Sequence, residues 1–242
     1  TEVHAATPTM AHADSLGRTF LTVAHNRFVR NGSSIEEHYS TRVELDIEGN
    51  QRAVRDAIVQ NADPLGRIVM RYDYDLLGNR IHQASMEAGE RWMLNDVTGK
   101  PIRAWDSRGF ARRLTYDELR RLTGLFVTEN GTERSAERTE YGEGQGEAGN
   151  HRGKVYRQFD QAGVVMNVVY DFKGNLLESR RQLLLDYKTA PDWSGSPALE
   201  AETFTTRTAF DALNRPVELR PPDGSIIRPT YNEANLLERV EA

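Results

Sequence analysis

The chain has no cysteine in 242 residues. Disulfide frameworks, thiolate nucleophiles and cysteine zinc sites are therefore excluded, and the redox state of its compartment leaves no mark. Long hydrophobic runs are missing too. No apolar segment approaches the roughly 18 residues of a membrane helix, and the opening TEVHAATPTM is neither a basic start leading into an apolar core nor an initial Met. The chain reads as a soluble piece of something longer. Clustered positive charge is also scarce: the net charge is -5, and Arg112-Arg113, Arg120-Arg121 and Arg180-Arg181 are interrupted by acids or apolar residues. That argues against a phosphate-neutralising groove, so no nucleic-acid partner is expected. Hydrophobic residues make up only 38% and mean hydropathy is -0.64. The chain is folded but surface-rich, although its length permits a substantial core.

What is present is repetition. Asp-x-x-Gly recurs at Asp14, Asp46, Asp63, Asp75, Asp96, Asp106, Asp160 and Asp171, and degenerate copies begin at Asp117, Asp211 and Asn232. The starts fall about ten residues apart, sometimes doubled. The Asp side chain can accept a backbone N–H two residues on, and Gly in fourth place takes the left-handed conformation that joins a type I turn to a bulged hairpin. Asn is the next best residue there, which accounts for Asn214 and Asn235. Between turns the pattern has period two. Ile68, Met70, Tyr72 and Tyr74 fall on one face with Arg67, Arg71 and Asp73 on the other, and Val164, Met166, Val168 and Tyr170 alternate with Val165, Asn167 and Val169. The expected fold is all-β, with repeated antiparallel hairpins forming one curled or spiralling sheet over residues 1–242. Two insertion loops are expected, at about 129–153, dense in Gly and Glu, and at about 186–203, rich in turn residues.

The segments RYDYDLLGNRI, TYDELRRLTG and VYDFKGNLLES resemble the tyrosine-aspartate (YD) repeats of bacterial RHS proteins. HADSLGRTFLTVAHNR, TRVELDIEGNQR and DSRGFARRLTYDELRR are similar, more narrowly, to the RHS-bearing B and C components of insecticidal Tc toxin complexes. The resemblance runs from about Asp14 to Glu238 and implies a partial shell whose strips of hairpins enclose a toxin polypeptide. It also implies the remainder of an RHS shell or a toxin-complex subunit as partner, and a secreted or cell-surface location. Family shells often end in a self-cleaving region with paired Asp-Pro motifs, whereas here Asp63-Pro64 stands once, in mid-array. No protease residues are carried over.

Other candidate sites read more simply as structure. Gly144-Gln-Gly146-Glu-Ala-Gly149 spells a dinucleotide fingerprint, but no apolar strand leads into it and Glu143 and Glu147 would repel a pyrophosphate. Asn31-Gly32-Ser33 and Asn130-Gly131-Thr132 match a glycosylation sequon, but Asn-Gly is also a tight-turn signal. His4, His12, His25, His38, His82 and His151 lack metal-ligand spacing, and each Asp turn offers a single carboxylate, too few for calcium. No catalytic, cofactor or metal residues are expected. The alternative function is a carbohydrate-binding β-repeat module of a cell-surface protein, with Tyr72, Trp92, Trp105 and Trp193 stacking sugars. Aromatics on strands more often serve packing.

Overall fold

The computed structural model describes residues 5–59 and 63–242, so His4 lies outside the described residues. The chain divides into two compact units, Thr1–Ala111 and Arg112–Ala242. The first holds β1 (Met10–Ala13), β2 (Thr19–Arg30), β3 (Ser33–Leu45), β4 (Gln51–Arg55), β5 (Ile68–Tyr74), β6 (Arg80–Ser85), β7 (Gly89–Asn95) and β8 (Pro101–Asp106). Those of the second, beginning at the boundary, are β9 (Ala111–Tyr116), β10 (Leu122–Glu129), β11 (Thr132–Tyr141), β12 (Val155–Asp160), β13 (Gly163–Tyr170) and β14 (Leu176–Leu183). They continue with β15 (Phe204–Phe210), β16 (Pro216–Arg220), β17 (Arg228–Tyr231) and β18 (Leu237–Glu241). Among the described residues sheet order is sequence order from β1 to β16 with no strand returning to close a barrel, and β17–β18 form a separate hairpin. The fold is all-β and built of successive antiparallel hairpins.

The repeated turn forms as its chemistry requires. At Asp75, Oδ1 accepts the Leu77 and Asn79 backbone N–H groups, each at 2.9 Å, and Oδ2 accepts the Asn79 side-chain amide at 2.9 Å. The Gly78 N–H closes the turn on the Asp75 carbonyl at 3.1 Å with φ at 78°, and the register slips by one residue at Tyr74. The same Asp cap recurs at Asp14, Asp46, Asp171 and Asp211. In the degenerate copies Arg120, Asn214 and Asn235 take the left-handed position, with φ of 62°, 62° and 63°. The Asp160 copy is a different turn. Asp160 pairs directly with Gly163 across a two-residue loop, so Gly163 is already strand. Both Asn-Gly pairs are two-residue hairpin turns with positive φ at each position, joining β2 to β3 and β10 to β11.

The first part of the loop expected at about 129–153 is sheet. Thr132–Tyr141 is the ten-residue strand β11, paired with both β10 and β12. It escaped the pattern because TERSAERTEY has almost no apolar alternation. A strand hydrogen-bonded on both edges but only partly covered on its faces needs little. A 3-10 turn at Gly142–Gly144 follows, and only residues 145–154 are irregular. The connection expected at about 186–203 is irregular as expected, but it packs closely on the sheet. Its ends pair through Leu184 and Leu199, and Trp193 becomes one of the most buried side chains at 3% exposure.

Among the described residues the substantial core that the length permits does not form. Buried hydrophobic residues are Ala53, Ala136, Phe159, Val164, Tyr170, Leu184 and Trp193, and all except Ala53 lie in the second unit. The accessible surface is 16202 Å², against about 11,000 Å² for a compact monomer of this mass. Cohesion rests on strand pairing, capped turns and cross-strand side-chain pairs.

Candidate functional site

The glycine-rich string of the second unit serves packing. His151 is buried at 5% exposure and its Nε2 donates to the Asn167 carbonyl at 2.8 Å. Its ring meets Tyr156 and Tyr170 edge-on. A Cβ added at Gly142 or Gly149 would come within 2.2 Å of His151, so these glycines admit the imidazole. Gly149 and Asn150 also bond Tyr170, which ties the loop to β13. No helix follows to present N–H groups to a phosphate.

The four aromatics considered for sugar stacking are not equivalent. Trp193, part of the connection between β14 and β15, lies edge-on to Phe159, with its indole N–H donating to the Asp160 carbonyl at 3.0 Å. It is no surface platform. Tyr72 is covered by the Arg80 guanidinium at 4.1 Å. Trp92 is stacked on His82 at 5.2 Å, and Trp105 is its partner on β8. Asp73, His82, Trp92 and Trp105 thus form one row across β5 to β8, with Asp73 accepting His82 Nδ1–H at 2.8 Å. Trp105 alone keeps substantial exposure, 42%, and a lone ring is a poor sugar platform.

Clefts in the second unit hold carboxylates already committed to structure. One of about 500 Å³ is lined by Asp186 and Asp192 among others. Asp192 Oδ1 accepts the Ser135 and Ser194 backbone N–H groups, each at 2.9 Å, and Asp186 accepts from Lys188 and Thr189. Hydrogen bonds from Ser194 and Ser135 hold the Asp192 carboxyl below the usual carboxylate range. Among the described residues no group of three or more His, Asp and Glu could hold a metal ion.

One face of the second unit carries a charge pattern that sequence reasoning missed. Cross-strand register places Glu140, Arg157, Met166 and Arg180 in a row from β11 to β14, and Glu178, Arg207 and Arg220 in a row from β14 to β16. Three glutamates on this face each lie between two arginines. Glu140 contacts Arg138 at 3.2 Å and Arg157 at 3.3 Å, Glu178 contacts Arg180 at 2.7 Å and Arg207 at 2.8 Å, and Glu218 contacts Arg220 at 2.6 Å and Arg228 at 3.0 Å. Hydrogen bonds from Arg207 and then Arg180 lower the Glu178 pKa, and those from Arg220 and then Arg228 lower that of Glu218. The signal was the recurrence of Arg-x-Glu or Glu-x-Arg at 138–140, 178–180 and 218–220. Only strand register reveals the third member of each cluster.

No family model and no curated protein matches this sequence. Solved structures do match. The crystal structure of TcdB2-TccC3 superposes with a TM-score of 0.81 at 25% identity, covering 99% of this chain and 12% of that one. The crystal structure of TcdB2-TccC3-Cdc42 and the Photorhabdus luminescens Tc holotoxin pore each give 0.80 at 26% identity with the same coverage. The chain therefore spans about 12% of the length of the Tc toxin chains it matches.

Proposed function

We propose that this chain is a wall segment of an RHS-type shell that encloses a toxin polypeptide and performs no catalysis of its own. The observation that carries the reading is the match along 99% of the chain to a Tc toxin component at a TM-score of 0.81. The capped turn supports it, since the same Asp geometry recurs from Asp14 to Asp211. A meander with turns every ten or so residues adds one strand per unit and builds wall area without a second layer. The partners are then the rest of the shell, a toxin-complex subunit and the enclosed chain.

Single-particle imaging of the assembly purified through a tag on this chain from its native source tests the proposal. A hollow β-walled particle holding protease-protected polypeptide is the expected result. A free chain with no shell would overturn it, and selective retention on a glycan array would replace it with the carbohydrate-binding alternative.

A further inference from the structure

Three clusters with two arginines per glutamate give this face a surplus of positive charge, although Glu241 stands opposite Arg228 in the β17–β18 register. Exposure decides which sign a partner meets. Glu178 is 14% exposed between Arg180 at 47% and Arg207 at 60%, and Glu218 is 24% exposed between Arg220 and Arg228 at 53% each. In these two clusters the carboxylates are sunk and the guanidinium groups stand out, whereas Glu140 at 34% is nearly as exposed as Arg138 at 39% and Arg157 at 38%. One arginine per glutamate would suffice for a neutral cross-strand ladder, and the chain as a whole is negative at -5. The second arginine of the Glu140 and Glu178 clusters is therefore surplus to pairing.

The cluster at Glu140 adds an independent sign. Arg157 Nε faces the Glu140 carboxylate at 3.3 Å, and Arg138 is fixed by Glu140 at 3.2 Å and by the Trp193 carbonyl, 3.3 Å from its Nη1. The Arg138 guanidinium lies 4.0 Å from the Phe159 ring centre, which backs one face of its plane. A flat guanidinium held in place by these contacts presents its exposed edge with little freedom left to lose when it meets a carboxylate.

We infer that this arginine-rich face binds an acidic polypeptide segment of a partner chain. Spacing favours a polypeptide over a nucleic acid. A phosphodiester backbone carries charge at every step and would meet Glu140, Glu178 and Glu218 as well as the arginines. A polypeptide can place its carboxylates opposite the arginines alone. From β11 to β16 is five strand spacings, roughly 24 Å at about 4.8 Å each, the reach of about seven extended residues.

The test is fluorescence anisotropy of labelled poly-L-glutamate with the purified chain at low and moderate salt. Salt-sensitive binding is expected, weakened about tenfold or more by Arg157→Gln, Arg180→Gln, Arg207→Gln and Arg220→Gln together. Replacing Arg30, Arg42, Arg71 and Arg91 of the first unit by Gln changes net charge equally and should leave binding intact, with circular dichroism checking both folds. The inference is overturned by absent binding, by equal loss in the two variants, or by heparin or single-stranded DNA binding more tightly than polyglutamate. A shell particle whose chain lacks arginine-dependent binding sinks this inference alone. Arginine-dependent binding by a chain that never forms a shell sinks the shell reading alone.

Discussion

At the scale of residues, the turn glycines separate two costs that the sequence merges. Gly78 has φ at 78° with nothing within 4 Å of an added Cβ, so Gly78→Ala should lose only left-handed strain, about 1 kcal/mol. Gly66 has φ at 89°, and its added Cβ would lie 1.8 Å from the Asp56 carbonyl oxygen. Gly66→Ala should therefore cost about 2–4 kcal/mol, and urea midpoints of the two variants test the ordering. The converse holds at Arg120, whose φ of 62° a glycine adopts without strain. Arg120→Gly should gain up to about 1 kcal/mol, less whatever its guanidinium contributes at 5.5 Å from the Tyr116 ring. The turn carboxylates add a pH dependence. Hydrogen bonds from the Asn79 side chain and backbone lower the pKa of Asp75, and those of Arg18 and Arg215, backbone foremost, lower Asp14 and Asp211. A carboxyl with a depressed folded pKa binds protons less readily in the folded state. Its contribution is full above the unfolded value of about 3.9 and is lost as pH falls through the folded one. Urea midpoints should thus hold from neutrality to about pH 4 and drop below it, with a shallower drop in Asp75→Asn.

At the scale of elements, β11 and the connection after β14 are the parts where composition misleads. β11 looks like a solvated loop, yet ladders on both sides hold it. Deleting residues 133–140 should remove a central strand and abolish the cooperative denaturant transition of the second unit, whereas a truly exposed loop would tolerate it with little change. The later connection looks like a second free loop, yet Trp193 donates its backbone N–H to the Ser135 carbonyl at 2.9 Å and packs with Phe159, Val164 and Leu184. Trp193→Ala should cost about 3–5 kcal/mol in urea unfolding, the range for emptying a buried aromatic site. A loss below about 1 kcal/mol would mean the connection merely drapes over the sheet.

At the scale of the whole molecule, the excess accessible surface has a calorimetric consequence. Heat capacity of unfolding follows the apolar area newly exposed, and here Leu76, Val97, Ile47 and Phe172 are already almost fully exposed in the folded chain. Scanning calorimetry should give a value clearly below the usual about 12–15 cal/mol/K per residue. The ordinary value would show that the folded chain in solution buries much more apolar area, by contacts within the chain or between copies.

The sequence by itself determined the all-β class, the place of nearly every turn and the antiparallel meander. Each of these follows from interactions within about five residues: an Asp side chain reaching the next N–H groups, a left-handed fourth residue and a two-residue alternation. Tertiary structure alone decided that Asp160–Gly163 is a two-residue hairpin, that Thr132–Tyr141 is strand and that Trp193 is buried. It also decided that Glu178 sits between Arg180 and Arg207, 29 residues apart in the case of the second pair. These depend on which strand lies beside which and in what register. Register is set by bulges and turn lengths summed along the chain, and no local window of sequence contains that sum.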